Sequence, residues 1–220
     1  MQSMTHLYLI RHAQADGLRP DIVGSLTPDS GLSAFGITQA ERLRDRLTTS
    51  GEIQADVLIS STLKRARETA EIIAPALDLP IVFDEEIQEL NVGDCEGLNA
   101  EEIAERFGTP VSFDDEPFRR LGSTGESWSE FTFRSCRALD RITREYADKT
   151  IVLVTHGRLI GSSFISFLGL NTLKQLPIVL DNKNTSITHW QLAHFPGYGR
   201  DYAQWCLHSY HDYAHWKDLA

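Results

Sequence analysis

Short, continuous apolar runs alternate along this chain with stretches of helical periodicity, and this alternation constrains the fold more than any other feature. Residues 7–10, 57–59 and 150–154 are such runs, as is typical of strands that are covered on both faces. Between the first two and again after residue 63, apolar residues recur three and four positions apart. The alternation predicts an α/β fold: a three-layer sandwich whose mainly parallel sheet is flanked by helices.

Residues 98–148 interrupt this alternation. They contain two helical patterns, over 100–107 and 127–146, around a loop rich in Asp, Pro and Gly. We interpret this segment as an insertion that caps the active edge of the sheet, within a single domain that spans residues 1–220. Beyond residue 188, apolar and polar residues alternate around 189–192 and 202–207, which predicts two further strands.

Composition limits the class of partner. The 220 residues include 21 Lys and Arg against 31 Asp and Glu, a net charge of −10 at pH 7. Because a polyanion binds to a basic face, we expect no nucleic-acid partner, although a few arginines can still bind a small anion. No apolar run reaches the ~18 residues of a membrane-spanning helix. Three widely spaced cysteines favour a reducing compartment, so we expect a cytoplasmic protein with no membrane partner.

Polar residues follow three of the predicted strands. Residues 11–14 follow the first strand, residues 60–61 end the second and lead into a helix that carries Arg65, and residues 155–158 follow the third. Ligands in open α/β sheets bind outside the carboxyl ends of the strands. The topology therefore predicts that two histidines and at least two arginines converge there, although they are far apart in sequence.

Such a group of side chains suits the transfer of a phosphoryl group. Arginine presents a planar fork of donors to phosphate oxygens, and an imidazole nitrogen can attack phosphorus to form a phosphoenzyme. Neighbouring cations disfavour the imidazolium form and keep the nucleophile available near neutral pH. A proton donor for the leaving alkoxide is also needed. Glu89 is the best candidate, and Glu85, Glu86 and Glu96 lie nearby as alternatives.

Five stretches, in order over about 150 residues, resemble the motifs of the histidine phosphatase superfamily, whose founding branch is phosphoglycerate mutase. A sixth stretch, at 125–127, resembles the family's "GES" motif. The five are RHAQ at 11–14, LSxxGxxQA at 32–40, SSTLKRAxxTA at 60–70, ELNVGDCEG at 89–97 and VTHG at 154–157.

The resemblance implies a phosphoglycerate mutase-like fold and assigns roles to residues. His12 would be the nucleophile that becomes phosphohistidine, and Glu89 would protonate the leaving oxygen and then activate water. The transferring phosphoryl group would be bound by Arg11, Arg65 and His156. The resemblance also implies that neither a metal ion nor a cofactor is required. The expected substrate-binding residues are Arg11, Gln14, Arg65, His156 and Gly157.

Three positions depart from the family pattern. Ala13 replaces the usual glycine after the histidine. Ala15 stands where many members carry Ser or Thr, and Leu18 stands where many carry Asn. The last two changes remove polar groups expected near the phosphate. Another donor would have to compensate for them, and Gln14 is the candidate.

The function that we predict is that of a metal-independent phosphatase, which hydrolyses a small phosphomonoester. The sequence ELNVG at 89–93 follows the form of the phosphatase branch, whereas the mutases carry LNERxYG around the acid. A mutase-type isomerase and a non-catalytic phospholigand-binding protein are the alternatives. A homodimer is the default assembly for such an enzyme. The aromatic and basic residues expected to frame the leaving group are Phe107, Phe113, Phe118, Arg119, Arg120 and Trp128.

The histidine-rich tail is a further candidate site. His208, His211 and His215 could share the face of a helix and bind a metal ion. The alternation around them is typical of a strand instead, and no cysteine or carboxylate completes a recognisable ligand pattern. We therefore predict no metal site, and we expect the aromatic residues of the tail to pack against the sheet.

Overall fold

The computed structural model of the protein describes residues 4–16, 24, 30–108, 115–172, 174–195 and 202–217. Strands and helices alternate through most of this part of the chain. In order they are β1 (Thr5–Arg11), α1 (Ala34–Ser50), β2 (Val57–Ser61), α2 (Lys64–Leu77), β3 (Ile81–Asp84), α3 (Ala100–Phe107), α4 (Trp128–Glu145), β4 (Thr150–Thr155), α5 (Gly157–Phe167), β5 (Ile187–Phe195) and β6 (Tyr202–Asp212).

The described strands form one sheet in the order β3-β2-β4-β1-β5-β6. Strands β1 to β4 are parallel to one another. Strand β5 runs antiparallel to β1, and β6 runs antiparallel to β5. The predicted α/β fold with a mainly parallel sheet is confirmed. Because β4 lies between β1 and β2, the carboxyl ends of these three strands adjoin one another.

Helix α1 shows why the sequence folds as it does between β1 and β2. The Ser33 side chain accepts a hydrogen bond from the Gly36 backbone N–H and so caps the first turn. Gly51 ends the helix with a φ of 56°, in the left-handed region that glycine adopts without strain. Leu43 and Leu47 are buried, as the periodicity predicts, whereas Ile37 is 43% exposed because it lies on the outer side of the apolar stripe.

Two apolar cores cover the two faces of the sheet. Residues of β1, β2 and β4 alternate between them, since successive side chains of a strand point to opposite faces. The first core joins the sheet to α4 and α5 and includes Leu7, Leu9, Ile59, Leu153, Phe131 and Leu159. The second core joins it to α1 and α2 and includes Ile10, Leu58, Val152, Leu43, Ala70 and Ile73.

Helix α4 packs against the sheet, although we expected all of residues 98–148 to form a cap over its active edge. The helix begins with a capping box, in which Ser127 and Glu130 bond to each other's backbone N–H groups. Its buried residues Leu139 and Ile142 then belong to the first core, so α4 is one of the helices that cover the sheet. The residues before α4 have a small cluster of their own, with Val92, Cys95, Leu98 and Ile103. The periodicity predicts the apolar stripe of α4 but not the surface that it contacts.

Two edges of the sheet differ in how well the sequence predicts them. Strand β3 was not predicted, because it is a four-residue edge strand whose Val82 and Phe83 are both more than 40% exposed. Strands β5 and β6 lie where the alternation places them, and Trp190 of β5 is buried in the first core. None of the helices in the described ranges is long and apolar enough to cross a bilayer.

Candidate active site

The strand register brings the first and third motifs side by side. Arg11 of β1 pairs with Thr155 of β4, and the His12 backbone N–H donates to the Thr155 carbonyl at 2.8 Å. His156 follows Thr155 directly, so the two imidazole rings lie with their centroids 5.1 Å apart. The predicted convergence of His12 and His156 is therefore present in the structure.

Arg65 joins the two rings from the first turn of α2. Its Nε–H donates to Nε2 of His12 at 3.2 Å, and its Nη2 lies 3.3 Å from Nδ1 of His156. The side chain is 2% exposed, although Arg67 two positions later is half-exposed. A guanidinium is suited to this position because its planar fork reaches two partners at once.

The hydrogen bonds fix the proton on each ring. Nδ1 of His12 lies 2.7 Å from the Ala13 carbonyl and donates to it, so Nε2 carries the lone pair that accepts from Arg65. His156 accepts from Arg65 at Nδ1 and donates from Nε2 to Oγ of Ser61 at 2.8 Å. Each ring is thus neutral, and Nε2 of His12 is unprotonated.

Burial and neighbouring cations explain why both rings stay neutral. Burial, followed by the charges of Arg65 and Arg11, holds the pKa of His12 well below its usual range. Burial and Arg65 lower the pKa of His156 in the same way, with a smaller effect of His12. An imidazolium placed here would lose its hydration beside two guanidinium groups.

Arg11 completes what we call the histidine–arginine cluster: Arg11, His12, Arg65 and His156. Its Nη1 donates to the Asn182 carbonyl, while its Nε–H is buried without a partner among the described residues. A Cβ atom on Gly157 would lie 3.7 Å from this Nε. Gly157, another predicted substrate-binding residue, therefore borders the guanidinium of Arg11 at the start of α5.

Glu89 lies at the border of the cluster. It lines, together with Arg11, a cavity of about 360 Å³. The side chain is 8% exposed, and its Oε1 accepts from the Leu90 N–H at 2.9 Å. Nη1 of Arg158 lies 3.9 Å from the same oxygen. Of the alternative acids, Glu86 instead pairs with Arg141 of α4.

Gln14 is not joined to the cluster in the described structure. Its Oε1 accepts a hydrogen bond from Oγ of Ser33 at 2.9 Å, and its backbone N–H donates to Gln39, so it lies at the start of α1. Ala15 pairs with Leu32 in an isolated bridge. Leu18, the other departure from the family pattern, lies outside the described residues.

The segment before β5 holds the end of β1 in place, and sequence reasoning missed it. Nδ2 of Asn184 donates to the His12 carbonyl at 2.8 Å, and the Thr185 N–H donates to the Arg11 carbonyl at 2.9 Å. Thr185 has a φ of 58°, which a β-branched residue rarely adopts. The signal in the sequence is the run of turn-forming residues Asn182 to Ser186 directly before a predicted strand.

The residues that line the cavity differ from those that we expected around the leaving group. Trp128 lines it as expected, but Phe107, Arg119 and Arg120 line a separate cavity of about 410 Å³. Phe118 is 69% exposed, and Phe113 lies outside the described residues. The segment after α5 also lines the cavity, with four residues that we call the apolar wall: Leu176, Ile178, Val179 and Leu180.

The histidines of the tail have separate partners. His211 accepts from the Lys183 N–H at 2.9 Å, His215 lies 2.9 Å from Oγ1 of Thr185, and His208 bonds to Gln191. Within the described ranges, no group of three or more His, Cys, Asp or Glu side chains is arranged to hold a metal ion. The tail histidines therefore contribute hydrogen bonds around β5 and β6.

Comparison with known proteins decides the family. The sequence model of the histidine phosphatase superfamily (branch 1) matches residues 7–197. The chain belongs to this family. Phosphoserine phosphatase 1 of Hydrogenobacter thermophilus is 30% identical over 192 residues, which cover 86% of this chain and 88% of the relative. The probable phosphoglycerate mutase GpmB of Proteus mirabilis is 30% identical over 223 residues, covering 99% and 97%.

Solved structures of the histidine phosphatase superfamily agree with the architecture described above. A mycobacterial glucosyl-3-phosphoglycerate phosphatase superposes with a TM-score of 0.76 at 25% identity, covering 94% of this chain and 99% of that structure. The resemblance found in the motifs and the phosphoglycerate mutase-like fold are confirmed. As a member of this family with phosphatases among its relatives, the protein is a phosphoric monoester hydrolase.

Proposed function

We propose that this histidine phosphatase hydrolyses a small phosphomonoester through a phosphohistidine at Nε2 of His12. The observation that carries the proposal is the hydrogen bond from Nδ1 of His12 to the Ala13 carbonyl, at 2.7 Å. It leaves Nε2 with a lone pair, at the atom that faces Arg65. A neutral imidazole fixed in this tautomer is prepared to attack phosphorus.

In the first step, Nε2 of His12 forms a bond to phosphorus while the bond from phosphorus to the alcohol oxygen breaks. The electron pair goes to that oxygen, which takes a proton from the Glu89 carboxyl group. Arg11 and Arg65 stabilise the negative charge on the phosphoryl oxygens. The buried, unpaired Nε–H of Arg11 is a donor suited to this task.

In the second step, the Glu89 carboxylate takes a proton from water while the water oxygen attacks phosphorus. The phosphorus–nitrogen bond breaks, and its electron pair returns to Nε2 of His12. His156 stays neutral and contacts the same phosphoryl group. The arginines supply the charge stabilisation that a magnesium ion supplies in other phosphoryl-transfer enzymes, so the proposed mechanism is metal-independent.

A mutase-type isomerisation is the second candidate, because the Proteus mirabilis relative carries that name and matches nearly the whole chain. Both reactions share the phosphohistidine and differ in whether water or a second alcohol accepts the phosphoryl group. Incubation with 3-phosphoglycerate and a trace of bisphosphoglycerate distinguishes them. Release of phosphate supports the phosphatase, and formation of 2-phosphoglycerate supports the mutase.

The test of the proposal is the turnover of p-nitrophenyl phosphate by the wild type and by His12→Ala. We expect the substitution to lower kcat by at least about a thousandfold, because the covalent route is lost. His194→Ala, at an exposed histidine of β5, is the matched control and should retain activity. Equal rates for His12→Ala and the wild type would exclude catalysis through His12, and if both equal the uncatalysed rate, the non-catalytic alternative is favoured.

A separate experiment tests whether the reaction requires a metal ion. Activity on p-nitrophenyl phosphate should survive dialysis against EDTA, and an acid-labile, base-stable phosphoenzyme should accumulate when the wild type is quenched during turnover. A complete loss of activity that zinc or magnesium restores would contradict the mechanism.

A further inference from the structure

The cavity beside Arg11 and Glu89 has an apolar wall that the proposed chemistry does not use. Ile178 and Val179 line the cavity, and they are 60% and 94% exposed. Leu176 and Leu180 continue the wall inwards and pack against the core shared by α4 and α5. Large apolar side chains exposed at the mouth of a cavity are typical of surfaces that contact a ligand.

The apolar wall is attached directly to the histidine–arginine cluster. The Asn182 carbonyl accepts a hydrogen bond from Nη1 of Arg11, two residues after Leu180. An ester whose phosphoryl group contacts Arg11 therefore places its alcohol portion in the cavity that this segment lines. The volume of about 360 Å³ suits the alcohol portion of a small molecule.

The charged side chains of the cavity are balanced. The charged residues that line the described cavity are Arg11, Arg158, Glu89 and Asp181, two of each sign. Arg158 lies 3.9 Å from Glu89, and the charges of Glu89 and Asp181 oppose the lowering of the pKa of Arg11 by burial. A carboxylate on the alcohol would approach Glu89 and Asp181 without an unmatched cation to offset the repulsion.

We infer that the alcohol portion of the substrate is a mainly apolar alkyl or aryl group without a carboxylate, and that Ile178 determines this preference. The inference rests on the proposed function and narrows it, because it disfavours polyol phosphates and phosphoglycerates as substrates. The apolar surface of the alcohol would be removed from water against the wall, which favours binding.

The experiment compares n-butyl phosphate with glycerol 3-phosphate and 3-phosphoglycerate by release of phosphate. The polar esters have the more acidic alcohols, so intrinsic reactivity cannot explain a preference for the butyl ester. We expect kcat/KM to be at least about tenfold higher for n-butyl phosphate than for either polar ester.

Variants test whether the wall is the cause. Ile178→Ser should lower kcat/KM for n-butyl phosphate by about tenfold and leave glycerol 3-phosphate within about twofold. Val82→Ser, at a half-exposed apolar residue on the far edge of the sheet, is the control and should change neither value. Asp181→Asn should raise kcat/KM for 3-phosphoglycerate relative to kcat/KM for n-butyl phosphate.

The outcomes separate this inference from the proposed function. A kcat/KM for glycerol 3-phosphate or 3-phosphoglycerate that equals or exceeds the butyl value would overturn the inference, as would an equal loss on all esters in Ile178→Ser. If no ester is turned over, p-nitrophenyl phosphate included, the proposed function fails. Calorimetry then decides on the cavity: tighter binding of n-butylphosphonate than of glycerol 3-phosphate supports the inference, and weaker binding overturns it.

Discussion

The histidine–arginine cluster and the apolar wall lie side by side but are built in opposite ways. His12, Arg65 and His156 are each at most 4% exposed, and each extends from the end of a strand or the start of a helix. The apolar wall lies between α5 and β5, outside the helices and strands, and two of its side chains are largely exposed. The cluster is thus fixed by sheet register, whereas the wall depends on an irregular segment.

The contrast predicts which property of the enzyme a substitution in each region changes. In the proposed mechanism the cluster contacts the phosphoryl group, which every ester shares, so a substitution there should lower turnover of all substrates together. In the inferred binding mode the wall contacts the alcohol, which differs between esters, so a substitution there should change the preference among them. Substitutions at and beside the histidine–arginine cluster test the first expectation, and Ile178→Ser tests the second.

The largest effect is expected from Arg65→Lys. Lysine keeps the positive charge but cannot donate to Nε2 of His12 and Nδ1 of His156 from one planar group. We expect kcat/KM to fall by about a thousandfold on every ester, in line with the loss of a preorganised charge-stabilising donor. Steady-state kinetics on p-nitrophenyl phosphate and n-butyl phosphate measures the effect, and thermal unfolding verifies that the variant is folded.

Arg67→Lys is the matched control for this prediction, since Arg67 lies on the same helix, is half-exposed and pairs with Glu71. It should retain wild-type kinetics. If Arg65→Lys affected one ester much more than the other, the cluster would be contributing to substrate choice, and the contrast between the two regions would fail.

Glu89→Gln should produce the next largest effect, and its size should depend on the leaving group. Glutamine cannot protonate the alcohol oxygen, so we expect kcat/KM to fall by about a hundredfold or more for n-butyl phosphate. p-Nitrophenolate leaves without protonation, so the burst of p-nitrophenol from the first turnover should be nearly unchanged. Rapid-quench measurement of the burst and of the later steady state separates the two steps.

The control is Glu85→Gln, because Glu85 is an exposed acid of the same stretch. Equal losses on the alkyl and aryl esters in Glu89→Gln would show that Glu89 acts in some way other than as a proton donor. A loss in Glu85→Gln instead would assign the proton donor to a different acid.

The cluster could be predicted from sequence because parallel strands bring their carboxyl ends to one edge. Once 7–10 and 150–154 were interpreted as strands, His12 and His156 had to lie at that edge. Which nitrogen of His12 is free could not be predicted, since this depends on the hydrogen bond to the Ala13 carbonyl. The pairing of Asn184 with the His12 carbonyl joins residues 172 positions apart, so the turn-forming residues at 182–186 predict a turn but not the partner that it binds.

The wall could not be predicted for a different reason. Residues 175–182 have no helical or strand periodicity, so their apolar side chains gave no indication of the surface that they face. The sequence favours the cap as the segment that frames the leaving group, because its aromatic and basic residues match the chemistry of a phosphorylated ligand. The wall is instead made of aliphatic residues, and Phe107 and Arg120 line a different cavity.

The smallest effect expected is on stability at acid pH, and it tests how completely the cluster is buried. The pKa values of His12 and His156 are well below 6.5 in the folded protein, chiefly because of burial. Below pH 6.5 the unfolded chain therefore binds protons that the folded chain does not, and stability is lost as the pH falls towards the folded pKa values. Between pH 7.5 and pH 5.5 each ring should therefore account for a loss of stability, because only the unfolded chain takes up its proton.

Urea unfolding at pH 7.5 and pH 5.5 measures this loss. His189 and His215, whose pKa values are lowered to about 4, also make the protein less stable as the pH falls over this interval. The contribution of His12 is therefore isolated by comparing the wild type with His12→Gln. The variant should lose less stability than the wild type over this interval. An equal loss in His12→Gln would mean that the folded protein protonates His12 at pH 5.5. Nε2 would then be blocked by a proton at the same pH, and burial would not be what keeps the ring neutral.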